Sequence, residues 1–246
     1  MRSVKEVTTQ PDPTTILATL NICEPLIGLY DAPDPAPFAP LVEPETAREC
    51  VFASFSAWRE GKTLHITTEK HGCGAPQLLG LQSRSREEMI EFLVDEEGLR
   101  ATHELMGEWL DGGAAFAPRH GHILIGPLHA GQYDYLRSVT FYVNADQLAV
   151  LVTGASYFSG PADPPVTAPF SSGCGQLAAA IGDLDEPRAV IGATDQAMRQ
   201  HLDPGLLAFT ATKPMFESLC RWADDPRSSL HNNFLKRTIK ARGGSF

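Results

Sequence analysis

The sequence contains no run of ~18 or more apolar residues, so it predicts no transmembrane helix. It also lacks GxGxxG opening a helix after a strand, GxxxxGKS/T, GxSxG and HExxH. Nicotinamide, nucleotide, α/β-hydrolase and zincin chemistries therefore have no support. CxxC is missing as well, so cysteine spacing by itself identifies no metal motif. Basic residues are scarce: 20 Lys and Arg stand against 30 Asp and Glu, a formal net charge of -10. A general binder of nucleic acid or anionic membrane needs clustered cations. The one cluster, Lys236, Arg237, Lys240 and Arg242, fits the solvated face of a last helix. The first 13 residues are polar and lack the apolar core of a secretory leader, so the expected location is the cytoplasm. There, an odd count of five cysteines (23, 50, 73, 174 and 220) fits free, catalytic or metal-bound thiols better than a disulfide framework.

What is present is ordinary globular composition, 43% hydrophobic and 20% charged over 246 residues, enough for one sizeable core. Residues 1–13 read as a loose arm, 14–223 as the domain and 224–246 as a C-terminal helical extension. Thr14–Asn21 predicts a short helix and Pro25–Tyr30 a strand. A connector with five prolines in the 12 residues from Pro33 to Pro44 predicts no regular element. A helix is expected over Glu45–Glu60 with Cys50 on it, then a strand at Lys62–Thr68. Ser85-x-x-Glu88 is a capping box opening a helix, and Asn144 caps an amphipathic helix. Strands are expected at Gly121–Leu128, Ser138–Val143, Arg188–Gly192 and Leu206–Thr210, with helix from Pro214 onward. The mixture lacks the even beat of a doubly wound sheet, so the predicted class is α+β, one domain with a mixed or antiparallel sheet and flanking helices.

One phrase occurs twice, Gly72-Cys73-Gly74 and Gly173-Cys174-Gly175, each before a helix-permissive apolar run. Glycines on both sides permit positive φ and close approach, and a thiol at a helix N-terminus is biased toward thiolate. The two copies raise the option of two loosely similar halves. Cys50, Cys73 and Cys174 supply three soft ligands, which suit zinc or an iron–sulfur cluster with one open position. A second reading makes Cys73 a nucleophile, with His71 or His122 as base and the Cys174 loop giving backbone donors. A third is a non-catalytic small-molecule-binding domain whose glycine–cysteine turns only permit packing. His120-Gly121-His122 is spaced as a strand chelate. Cys23 and Cys220 read as structural.

An ordered series then resembles a known family over roughly residues 23–220. It runs from Pro25-Leu26-Ile27-Gly28-Leu29-Tyr30 through Ala47-Arg48-Glu49-Cys50 with Gly61, to Cys73-Gly74-Ala75 and Leu79-Gly80-Leu81. Gly126-Pro127-Leu128, Asp146-Gln147-Leu148, Ala155-Ser156-Tyr157, Gly160, Cys174 and Gly192-Ala193-Thr194 with Arg199 complete it. This series resembles the uncharacterised ArCR family, a domain of unknown function. The resemblance implies that Cys50, Cys73 and Cys174 occupy recurrent cysteine positions. A further cysteine near Gly192 is replaced here by Ala193, which implies three thiolates and not four. No activity follows from it. The expected site is thus cysteine-lined, with Gly72, Gly74, Gly173 and Gly175 framing a cofactor and Cys50, Cys73 and Cys174 as metal ligands. The expected partners are a small molecule and, by the usual prior, a second copy in a homodimer.

Overall fold

The computed structural model of the chain describes residues 10–42, 50–69, 74–81, 84–112, 116–160, 164–169 and 184–243. Alternating apolar residues build β1 (Ile27–Ala32), β2 (Leu41–Val42), β3 (Thr63–Ile66), β4 (His122–Pro127), β5 (Leu136–Val143), β6 (Val166–Thr167), β7 (Ala189–Gly192) and β8 (Leu207–Thr212). They form one eight-stranded sheet in the order β2-β3-β4-β1-β5-β8-β7-β6. All pairings are antiparallel except the two edges, β2 with β3 and β6 with β7. The class is α+β with a mixed sheet, as the sequence predicts.

The strand order repeats outward from the central β1–β5 pair. One wing runs β1, β4, β3, β2 and the other β5, β8, β7, β6. In each wing the first strand is central, the fourth lies beside it, and the second is a short parallel edge. A twofold normal to the sheet, passing between β1 and β5, relates two such wings and keeps equivalent segments on the same face. This similarity does not equate the two Gly-Cys-Gly phrases. Gly72 follows β3, whereas Gly173 follows β6, the counterpart of β2. By chain position alone, Cys50 stands eight residues past Val42 and Cys174 seven past Thr167.

Helices cover both faces. α1 (Thr14–Leu20) ends at Asn21, whose left-handed φ of 52° closes it. α2 (Phe55–Arg59) is preceded by a 3-10 turn at Val51–Ser54, and of the helix expected over Glu45–Glu60 the residues before Cys50 lie outside the described residues. Cys50 is extended at the turn's start. The tighter turn aligns residues three apart, and Phe52, Phe55 and Trp58 pack together beneath it. α3 (Ala75–Leu78) and α4 (Arg86–Glu91) follow. Ser85 and Glu88 exchange both capping-box bonds, Glu88 N–H to Ser85 Oγ at 3.2 Å and Ser85 N–H to Glu88 Oε2 at 2.8 Å. α5 (His103–Gly112) and α6 (Ala145–Ala155) come next, the latter capped reciprocally by Asn144 and Gln147. α7 (Gln196–Arg199), α8 (Lys213–Asp224) and α9 (Asn233–Ala241) complete the described helices.

The proline-rich connector is more ordered than its composition predicts. A 3-10 turn at Ala36–Phe38 buries Phe38 against the Tyr30 ring, 4.9 Å between centroids, and β2 follows directly. Proline is compatible with the opening of such a turn and with a sheet edge, where its missing N–H removes no needed bond.

α1, α6 and α8 pack on the first face, where Phe141, Phe209, Phe216 and Trp222 form one buried cluster. The 3-10 turn, α2, α3 and α7 meet the second face, with Leu64, Ile123, Ile125 and Tyr142. α4 and α5 form a smaller satellite around Met89 and Met106.

Candidate functional site

The second face is not uniformly apolar. Along β5 the period of two sends Val139, Phe141 and Val143 to the first face and leaves Ser138, Thr140 and Tyr142 on the second. β8 pairs Thr210 directly with Thr140, and their hydroxyls hydrogen-bond at 2.9 Å. Ser138, Thr140, Thr210 and Tyr142 are each only 1% exposed. A buried hydroxyl needs a partner. The Tyr142 hydroxyl has none among the described residues, and neither has the neighbouring Trp58 Nε1. Phe55 packs edge-on against both rings, 4.8 Å from Tyr142 and 6.2 Å from Trp58. The sequence predicts the strand at Ser138–Val143 without singling out its hydroxyls; the alternation Ser138, Thr140, Tyr142 is the signal it carries.

Cys50 borders this strip. It is half-buried, extended (φ -66°, ψ 136°), and packs on the second-face cluster. Burial pushes the Tyr142 phenol well above its ordinary range, and charge on Cys50 and Glu24 pushes the same way. Arg59 fastens α2 above the strip, giving Glu24 two bonds at 2.8 and 2.6 Å and Asp203 one at 2.6 Å.

Of the other sequence-predicted residues, His71, Gly72, Cys73, Gly173, Cys174 and Gly175 lie outside the described residues. Gly74 is described, and it corrects the glycine argument at that position. Its φ is -70°, and an added Cβ would lie 3.7 Å from Met89 Sδ, ordinary contact. Neither positive φ nor close approach demands glycine there. α3, which it opens, has four residues and so carries the dipole of about one turn. Residues flanking the cysteine segments nevertheless bury together: Ala75 and Leu79 after Gly74, Leu184, and Ala193 all belong to the second-face cluster with Cys50 at its border.

Ala193 departs from ordinary backbone, with φ 65°. Alanine in this region costs about 1–2 kcal/mol. The conformation is held by Arg199, which donates to the carbonyls of Leu206 (2.5 Å), Pro204 (2.7 Å) and Ala193 (3.5 Å).

Just beyond, Asp195 approaches Glu97, which closes a π-helical turn over Phe92–Glu96. The Arg84 guanidinium lies 4.3 Å over the Phe92 ring. Desolvation of the Glu97 carboxyl, with Asp195 and Glu96 adding, pushes its pKa from 4.5 up to about 6, and Arg84 opposes the shift. The residue as a whole is exposed, so protein crowds the carboxyl from one side and solvent screens much of the energetic consequence. The folded state binds this proton more tightly than the unfolded chain. The linked stability is therefore present below pH 4.5 and lost as pH rises through about 6. Glu97→Gln should raise the urea midpoint relative to the parent at pH 7 and leave the two alike at pH 4.5. Equal midpoints at both pH values would remove the basis for a perturbed Glu97.

The histidines do not converge as HxH spacing predicts. β4 begins at His122, so strand alternation does not extend back to His120. His120 stands edge-on to Tyr135, 5.5 Å between centroids, and His129 is exposed, its backbone N–H donating to the Tyr30 hydroxyl at 2.7 Å. His122 instead meets His65 of β3.

Among the described residues no group of three or more His, Cys, Asp or Glu side chains is placed to hold a metal ion. Two of the three expected thiolates lie outside those residues. Burial pushes the Cys220 thiol up to about 12, consistent with a structural role, whereas Cys23 is exposed.

The family model described as Uncharacterised ArCR matches residues 26–221 of the chain. No curated protein and no solved structure matches it.

Proposed function

Because the chain belongs to the uncharacterised ArCR family, we propose that Cys50, Cys73 and Cys174 together hold a soft metal centre over the hydroxyl-bearing strip of the sheet. Zinc with an open position, or a [4Fe–4S] cluster with one open iron, suits three thiolates. When bound, the centre supplies Lewis acidity or electron transfer toward a small-molecule ligand. The observation that carries the reading is the Tyr142 hydroxyl, buried and without a partner among the described residues, in the second-face cluster against which Cys50 packs. A donor so placed is suited to the sulfur of a thiolate, and hydrogen bonds to ligating sulfur tune such centres. The wing repeat supports it too, since Cys50 and Cys174 follow β2 and β6, the edge strands of the two wings, at similar chain separations.

The chain's own residues would bind and orient. Phe55 and Trp58 exclude water around Cys50, and Thr140 and Thr210 satisfy one another without competing for a ligand. Thiolate ligation needs a reducing compartment, in keeping with the cytoplasmic location the sequence suggests. No described helix is long and apolar enough to cross a membrane.

Purification without oxygen followed by elemental analysis and absorption spectroscopy tests the reading. Near-stoichiometric iron with labile sulfide, or colourless zinc, is expected, and Cys50→Ser, Cys73→Ser and Cys174→Ser should each abolish most of it. Metal-free protein, or metal content indifferent to all three substitutions, would overturn it.

A further inference from the structure

The geometry points to a second site, on the other face of the sheet: we infer that His65 and His122 form a two-imidazole chelate for a divalent first-row transition ion. The sequence pairs His122 with His120, but the fold pairs it with a residue 57 positions away. In the β3–β4 register His65 lies opposite Leu124, so His122 is its diagonal neighbour and both rings share one face. That face is the one to which Leu124 contributes, whereas Ile123 and Ile125 belong to the second-face cluster that Cys50 borders. The two sites are therefore separate.

His65 Nε2 and His122 Nδ1 are 3.1 Å apart, with ring centroids 5.1 Å apart. Imidazole nitrogen binds zinc at about 2.0–2.1 Å, so two such bonds across this gap enclose an angle of roughly 95–100°. That is a cis angle a four- to six-coordinate ion accepts. Without an ion, one ring donates its N–H to the other. With an ion, both nitrogens offer lone pairs, and the ring that donated its N–H takes the tautomer protonated at its outer nitrogen.

The pair is held ready for this. Each histidine belongs to a strand, and strands position ligands more accurately than loops. The approach to β4 is tied down by Asp31, whose buried carboxylate accepts the N–H groups of Arg119 at 2.5 Å and His120 at 2.9 Å. Both residues are half-buried and reach solvent, so an ion can approach from that side. Nitrogen donors select nickel, copper or zinc over calcium or magnesium, which need oxygen ligands.

Equilibrium dialysis of the full chain against Ni²⁺ alone tests the site. His65→Gln and His122→Asn should each lose one bound equivalent that the parent and Cys50→Ser retain. This difference is readable whether or not the cysteines bind metal, so the two readings fail separately. Histidine variants that bind as much Ni²⁺ as the parent would overturn the inference. Should the variants misfold, mass-spectrometric mapping of diethyl pyrocarbonate modification on the parent decides. Ni²⁺ should protect His65 and His122 but not His103 or His129, and unprotected His65 and His122 would overturn it equally.

Discussion

Gly154→Ala is expected to destabilise the protein by about 1–3 kcal/mol, and Gly154→Val by more. In an isolated helix the first change would help by about 1 kcal/mol, because glycine is a poor helix former. Tertiary packing reverses the sign. Gly154 is where α6 lies against α8, and an added Cβ would stand 2.7 Å from Trp222 Cε3 and Cζ3 and 2.9 Å from Cδ2. Real Cβ atoms do not approach so closely, so the indole or a helix must move. The indole is fully buried among Phe216, Leu219 and Leu151 and has no open space to turn into. For a chain of this size each kcal/mol lowers Tm by about 2–4 °C. Thermal unfolding and urea titration read the effect, and Trp222→Leu should partly rescue Gly154→Ala by vacating the ring's volume. A Tm for Gly154→Ala at or above the parent's would mean the helices separate at little cost.

The second large effect is expected at Asp31. Its carboxylate is 1% exposed and accepts from two consecutive backbone N–H groups, those of Arg119 and His120. A hydrogen bond to a charged group contributes about 1.5–3 kcal/mol, and a buried donor stripped of its acceptor loses its solvation as well. Asp31→Ala should therefore cost about 2–4 kcal/mol. Asp31→Asn should fall between, since one oxygen persists while the new amide nitrogen faces an N–H. The damage should be local at first: hydrogen exchange at the Arg119 and His120 amides should accelerate far more than at Ile125 in mid-strand. Uniform acceleration along β4 would show that Asp31 acts through global stability instead.

These two residues mark how much of the fold was legible in advance. Nothing in the local sequence singles out Gly154 or Asp31; both gain their meaning from a neighbour more than 60 positions away. The same holds at the candidate site. Cys50 was legible as a residue of interest, but its expected place on a long helix was wrong: it sits extended before a 3-10 turn. The duplicated Gly-Cys-Gly phrase was equally visible, but its first copy follows β3 and its second follows β6. Glycine at 74 answers no backbone demand.

The sequence by itself determined the parts whose bonds close within a few residues. The caps at Ser85 with Glu88 and at Asn144 form as predicted, Asn144 with Gln147 as its reciprocal partner, because donor and acceptor lie three positions apart. The strands at β1, β4, β5, β7 and β8 form because alternation is a local pattern with one pleated solution. Only the tertiary structure decided which strand lies beside which. That choice creates the two wings, brings Phe55 to Tyr142, sets Thr140 against Thr210, and turns His122 from His120 to His65. Such pairings depend on the summed burial of two whole faces, and no short stretch of sequence encodes that sum.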